Sequence, residues 1–280
     1  MCSSDLDQQW IIPHFEKMLY DNGPLLRLFS DLWLVEHTPA IERVVRDSAG
    51  WIIREMQSAA GGYYSTLDAD SEHEEGKFYI WTPDEVKAVL NADEYAIVAP
   101  HYGLTAPPNF EEKHWHLQVT VPLEDVARAA GISPERASAL MDSARAKLST
   151  ARERRVRPAR DEKILTAWNA LTIKGMAHAA RVFAEPQWLA SARRAADFIR
   201  AQLWRDGRLL ASYKDGQATL NGYLDDYAFL LDALLELMQA QFNPADLTWA
   251  CEIADVLLAQ FEDTEAGGFF FVSQIGRAHV

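Results

Sequence analysis

The sequence predicts an all-α chain: a partial (α/α)6 toroid of helical hairpins with short β-hairpins at the rim. Three observations lead there. First, three segments share one grammar: SAGWIIREMQSAAGGYYSTLDAD, RRAADFIRAQLWRDGRLLASYKDG and EIADVLLAQFEDTEAGGFFFVS. In each, small and aliphatic residues recur at helical spacing, a glycine turn follows, and a short aromatic or aliphatic strand comes next. Second, DEKILTAWNALTIKGMAHAARVF and LDDYAFLLDALLELMQAQF are apolar on more than one face, as inner helices must be. Third, hairpins that cannot bury their faces alone have to stack on neighbours. The repeat is then inner helix, outer helix and strand pair, and closing it puts the inner helices around a funnel. An open solenoid is the alternative arrangement of the same parts.

The elements follow in order. DQQWIIPHFEKMLYDNGPLL places ionisable groups in an apolar run. Pro13 suits the first position of a helix, so Pro13–Asn22 is predicted helical and Gly23-Pro24 to break it. His14, Lys17 and Asp21 then share one face, Glu16 and Tyr20 another. Gly61-Gly62, Gly207 and Gly267-Gly268 end the outer helices, because glycine takes the positive φ that lets a helix stop and a strand begin. Strands are expected at Tyr63-Tyr64, Leu209-Leu210 and from Phe269 to Val272. Residues 72–150 interrupt the period and read as an insertion at the rim. Within it, a strand should precede a helix capped by Thr82 with Pro83 at its first position, and a second helix should start near Pro134. Asp161 is placed as the N-cap of one inner helix and Asp225-Asp226 at the start of the next.

Composition bounds the function. The 280 residues carry a net charge of −14, which argues against nucleic acid as a partner. No apolar run approaches the roughly 20 residues a membrane span needs. The two cysteines are Cys2 and Cys251. Cys251 sits in an apolar helical pattern and reads as a buried core thiol. With no internal pair to form, a reducing, cytoplasmic location is expected. The ends stand apart: codons for Cys2–Leu6 can be written as the reverse complement of codons for Gln274–Ala278. Residues 1–6 and 274–280 are therefore read as translated adapter sequence, and 7–273 as an incomplete toroid from a longer chain.

PHFEKMLYDN, GGYYSTLDADSE, EGKFYIWTPDE, YGLT with NFEE, RPARDEKILTAWNAL and YLDDYAFLLDALLEL occur in that order between Trp10 and Val272. Together they resemble the thioredoxin-domain-containing proteins of the spermatogenesis-associated protein 20 / YyaL type. The match departs at PPNFEE, where glycines would flank the motif, and at Glu162, where a second Asp would stand. The resemblance implies a six-hairpin toroid similar to N-acylglucosamine 2-epimerase and the six-hairpin glycosidases. It also implies an N-terminal thioredoxin-like domain absent from this sequence, which would be the toroid's redox partner.

The chemistry-bearing groups suggest a carbohydrate-like ligand. His14 with Glu16 is a candidate proton-transfer pair, and Lys17 and Asp21 are candidate ligand contacts. Asp68 and Asp70 alternate, so in an extended segment both would face one side. Paired carboxylates can serve as acid and base, with Asp70 the candidate catalytic member and Asp68 a binding one. Arg157, Asp161, Trp168 and Asn169 gather around an inner-helix start, where an indole can stack on a sugar and an amide bond its hydroxyls. Asp225 and Asp226 are candidate catalytic acids, with Tyr227 as a binding group. Each also has a structural reading: ion pairs, turn caps or core. His114 and His116 form a weak metal pair without a third ligand, and His37 and His178 read as structural. No phosphate loop, dinucleotide fingerprint or zinc cysteine set occurs, so no cofactor and no metal are expected. A noncatalytic scaffold serving the redox domain is the competing function.

Overall fold

A computed structural model describes residues 11–274, so the adapter readings of 1–6 and 275–280 lie outside the described residues. In chain order the helices are α1 (Leu19–Val35), α2 (Pro39–Trp51), α3 (Pro83–Val89), α4 (Ala92–His101) and α5 (Leu123–Ala130). They continue with α6 (Pro134–Arg152), α7 (Thr166–Phe183), α8 (Pro186–Gln202), α9 (Leu224–Ala240) and α10 (Pro244–Phe261). Five of them start at proline, whose fixed φ and missing N–H fit a helix's first turn. The chain divides into two compact units: Lys17–Thr66 with Arg160 onward, and Leu67–Ala159 with the described residues before Lys17. The expected insertion at 72–150 falls inside the second of these.

The first unit holds three antiparallel hairpins: α1 with α2, α7 with α8, and α9 with α10. Helices α1, α7 and α9 lie side by side and parallel. Tyr20 meets Trp168 and Asp31 meets His178, while Lys174 meets Asp232 and His178 meets Glu236. This is a partial (α/α) toroid, three of the hairpins that a six-hairpin ring contains. The central inner helix, α7, buries Ala170, Ile173, Met176, Ala177 and Ala180 and leaves only a narrow stripe open. The outermost helices expose apolar side chains: Leu25, Leu28, Leu32 and Val35 on α1, Leu235 on α9, Leu247 and Leu258 on α10.

Helix α1 begins at Leu19, not Pro13, and runs through Gly23-Pro24 rather than stopping there. The reason is tertiary. Lys17–Met18 is a short strand, Leu19 donates its N–H to Ser65 O, and Asn22 Nδ2 donates to Met18 O at 2.6 Å. Gly23 is a contact residue and not a breaker. A Cβ there would stand 2.5 Å from Leu171 O, and one at Gly175 would stand 2.1 Å from Gly23 O. The two backbones touch where neither position has a side chain.

The rim strands form between α8 and α9. Arg208–Lys214 pairs with Trp204–Arg205, with Gln217–Asn221 and with Ile164–Leu165. The other hairpins end in single bridges, Gln57 with Tyr63 and Glu262 with Phe269, and the first of them is followed by the short strand Thr66–Leu67. The strand expected from Phe269 to Val272 is one bridge among the described residues, and Phe269, Phe270 and Phe271 are 37–59% exposed. Cys251 is exposed, correcting its reading as a core thiol. Trp249, Ala250, Ile253, Leu257 and Phe261 take the inward face of α10, and Cys251 lies about 100° further round.

In the other unit Thr82 caps α3 as expected, completed by Glu85 into a capping box, and Ser133 caps α6. Helices α3 to α6 surround Trp81, Val86, Ile97, Val98, Met141 and Leu148. Glu94 is buried in that packing, with Oε1 2.6 Å from Lys147 Nζ and 2.7 Å from Ser143 Oγ. The strand expected before α3 is a single bridge, Trp81 with Trp115, preceded by a turn in which Tyr79 and Ile80 both donate to Gly76 O.

Candidate functional site

A pocket of about 240 Å³ opens along the seam between α1 and α7. Gly23, Pro24, Leu28, Leu171 and Gly175 form its apolar floor, and Arg27, Asp31 and Lys174 its charged edge. The pocket exists because the glycines let the helices approach until only backbone separates them. One turn before it on both helices, Tyr20 and Trp168 meet edge to face with ring centroids 4.8 Å apart. Both rings keep solvent-exposed surface. One turn beyond it stands His178, nearly buried. Its Nδ1 lies 3.1 Å from Glu236 Oε1 on α9, and its Nε2 lies 2.7 Å from Asp31 Oδ1 on α1. The second contact has the distance of an ion pair without the direction of a hydrogen bond. Arg181 Nη2 donates to the same Glu236 oxygen at 2.9 Å. The His178 hydrogen bond, then Arg181, holds the Glu236 carboxyl down at about 2, against the burial that opposes ionisation. From Trp168 to His178 the line along α7 runs about 15 Å at the rise of an α-helix.

The arrangement offers an aromatic face, a small apolar floor and an imidazole between two carboxylates, all in one line. As an imidazolium, His178 can donate to Glu236 and attract Asp31 by charge; as a neutral ring it can accept a proton. Sequence reasoning read His178 as structural and passed over Asp31, Lys174 and Glu236. The signal was available: Trp168, Leu171, Lys174, His178 and Arg181 recur at three- and four-residue steps on a helix otherwise made of small and aliphatic residues.

The curated proteins supply a relative. Human spermatogenesis-associated protein 20 is 32% identical over 298 aligned residues, which cover 94% of this chain and 38% of that protein. Over that stretch this chain is similar to spermatogenesis-associated protein 20. An uncharacterized Caenorhabditis elegans protein is 29% identical, with 95% of this chain and 40% of that one covered. The chain thus spans about two fifths of the length of the curated relatives it matches. No protein-family model matches. Among solved structures, a polysaccharide lyase superposes with a TM-score of 0.50 at 11% identity, covering 92% of this chain and 52% of its own. That likeness concerns fold alone.

The residues singled out by sequence fall into both units. His14, Glu16, Asp68, Asp70 and Arg157 lie in the smaller one. His14 is exposed, with Nδ1 3.1 Å from Glu75 Oε1 and Nε2 3.7 Å from Glu16 Oε2. Asp68 Oδ1 accepts from Asp70 N at 3.1 Å, a turn cap, and both side chains are exposed while Ala69 between them is buried. Arg157 pairs with Glu153 one turn away.

Lys17, Asp21, Asp161, Trp168, Asn169, Asp225, Asp226 and Tyr227 lie in the hairpin unit. Lys17 sits in the strand before α1, and Asp21 in that helix's first turn. Asp161 is not the N-cap of α7. It occupies a strand, accepts from Lys163 N at 3.2 Å and pairs with Lys163 Nζ at 2.9 Å. The α7 cap comes from the next hairpin: Asp226 accepts from Ala167 N and Tyr223 N, both at 2.8 Å. Asn169 is fully buried and bonded to Tyr63 N, Tyr63 O and Leu165 O. Tyr227 is buried, its hydroxyl accepting from Leu209 N at 2.9 Å. Asn169, Asp226 and Tyr227 therefore hold backbone together and have no free polar atom to offer a ligand, contrary to expectation. Trp168 lies one turn before the pocket on α7 and meets Tyr20 there. Asp225 accepts from Asp226 N at 3.1 Å and keeps partial exposure.

Burial pushes the Asp226 carboxyl up to about 7, with Asp225 adding to the rise while the two N–H donors oppose it. A raised carboxyl binds its proton more tightly in the folded state, so this group's contribution to stability falls as pH rises from about 4 to about 7. Asp226→Ala removes two helix-start acceptors at once. It is expected to lower unfolding free energy by about 2 kcal/mol, read by urea denaturation. An unchanged midpoint would contradict the shared-cap geometry.

Proposed function

We propose that the seam between α1 and α7 binds a carbohydrate-like ligand, with Trp168 and Tyr20 as the stacking platform and His178, Asp31 and Glu236 as a proton-transfer group. The observation that carries this is the alignment of half-exposed aromatic pair, glycine-floored pocket and carboxylate-bracketed imidazole along one stripe. A sugar ring has an apolar face that packs on aromatic carbon and a rim of hydroxyls that needs donors and acceptors. The shared fold does not fix a reaction, so the reading rests on these side chains. On this reading the role assigned from sequence to His14 passes to His178, the imidazole one turn beyond the pocket and beside its lining residue Asp31.

A second reading has its own support. Asp226, Asn169 and Tyr227 are all committed to backbone, as in a binding module built for rigidity. On that reading the hairpin unit is a noncatalytic scaffold. It would serve a thioredoxin-like redox domain that the longer relatives are proposed to carry, in the cytoplasm.

Titrating a panel of oligosaccharides into the chain by calorimetry tests the first reading. At least one should bind, and Trp168→Ala should weaken it at least tenfold while leaving the melting curve of the protein close to that of the parent. Failure of every saccharide would leave the scaffold reading.

A further inference from the structure

The charges around the pocket say which saccharides fit. Three cations face the seam, and each has an acid against it. Arg27 Nε lies 3.8 Å from Asp31 Oδ2, Lys174 Nζ is bonded to Asp232, and Arg181 Nη2 lies 2.9 Å from Glu236 Oε1. Asp31 additionally meets His178. Near the aromatic end, Lys17 and Asp21 stand on either side of Tyr20 in the chain, and Asp225 lies in the first turn of α9. The cations at the pocket edge, Arg27 and Lys174, are thus each paired with an acid, and the molecule as a whole is net negative. A carboxylate or phosphate entering the pocket would leave its hydration shell without gaining an unpaired cation, and would approach Asp31 and Asp232.

We propose that this site selects uncharged saccharides against uronates and sugar phosphates, and that Asp232 sets the selection by neutralising Lys174, the cation at the pocket edge. The proposal rests on the saccharide reading of the seam. Lys174 is the decisive group because it lines the pocket and is itself largely covered, whereas Asp232 is half exposed on the next helix and does not line it. Removing the Asp232 charge would free an ammonium pointing into a small cavity, the arrangement that recognises an anion.

The experiment compares a neutral oligosaccharide with the same compound carrying a uronate, by calorimetry at low salt. The proteins are the parent chain, Asp232→Asn and Lys174→Met. The parent should bind the neutral compound at least tenfold more tightly. Asp232→Asn should narrow that ratio at least fivefold by strengthening uronate binding, and the gain should fade in high salt as the Coulomb attraction is screened. Lys174→Met should leave the uronate rejected. It is the informative variant if Asp232→Asn fails to fold, because uronate binding gained on loss of the cation would overturn the proposal. Equal or tighter uronate binding by the parent overturns the selectivity and leaves the saccharide reading standing. No binding of either compound overturns both.

Discussion

Gly175→Ala should collapse the hairpin unit. At most helical positions this change stabilises, by about 0.5–1 kcal/mol, because alanine loses less chain entropy than glycine. Here the new Cβ would stand 2.1 Å from Gly23 O and 2.8 Å from Gly23 C, both backbone atoms of α1. No rotamer change relieves that overlap. The helices must move apart, and the tight contact between the first two inner helices opens along its length. The expected cost exceeds about 3 kcal/mol, at or beyond the upper end of overpacking penalties. Chemical denaturation should show it as a lowered midpoint, and Gly23→Ala, 2.5 Å from Leu171 O, should behave alike. Gly50→Ala is the control, since nothing lies within 4 Å of a Cβ there. A Gly175→Ala chain as stable as the Gly50→Ala chain would mean that the inner helices do not touch at this point.

Removing Glu236 should cost nearly as much and should do so with a distinctive pH signature. The carboxylate is buried and joins α9 to His178 and Arg181 of α7. Glu236→Ala leaves that imidazole and guanidinium without their shared acceptor and is expected to cost about 3–5 kcal/mol. The folded carboxyl is held at about 2, below its ordinary 4.5, chiefly by the His178 hydrogen bond. Its stabilisation is thus complete above about pH 4.5 and is lost as pH falls towards 2. Glu94 is held at about 2 in the other unit, chiefly by Lys147, and acts in the same direction. Acid unfolding of the parent should therefore steepen below about pH 4.5, and Glu236→Ala should show a shallower acid limb. Parallel limbs in the two proteins would show that the His178–Glu236 bond does not form.

Particular residues show why some of this was legible from sequence. Pro83 after Thr82 and Pro134 after Ser133 announce helix starts because capping needs only residues within one turn. The inner helices were visible as apolar runs without a broad polar face. Pro13 misled for a related reason: its φ suits a helix start, yet Lys17–Met18 pairs as strand before any helix begins. Gly23-Pro24 has the composition of a breaker, and only the neighbour 148 positions away shows that glycine is required for contact. The acids at the helix starts were found by position, but their meaning was not. Asp226 looked like a lumenal acid and instead caps a helix 59 residues earlier.

The sequence by itself determined the hairpin repeat, the inner and outer roles of its helices and the glycine turns between them. Those properties follow from periodicity and backbone sterics within a few residues. Tertiary structure alone decided which charges meet. His178 becomes a bracketed imidazole only when α1 and α9 bring Asp31 and Glu236 to it, and Lys174 becomes neutralised only when α9 supplies Asp232. Coulomb attraction and hydrogen bonding act over a few ångströms of space, and distance along the chain carries no record of that separation.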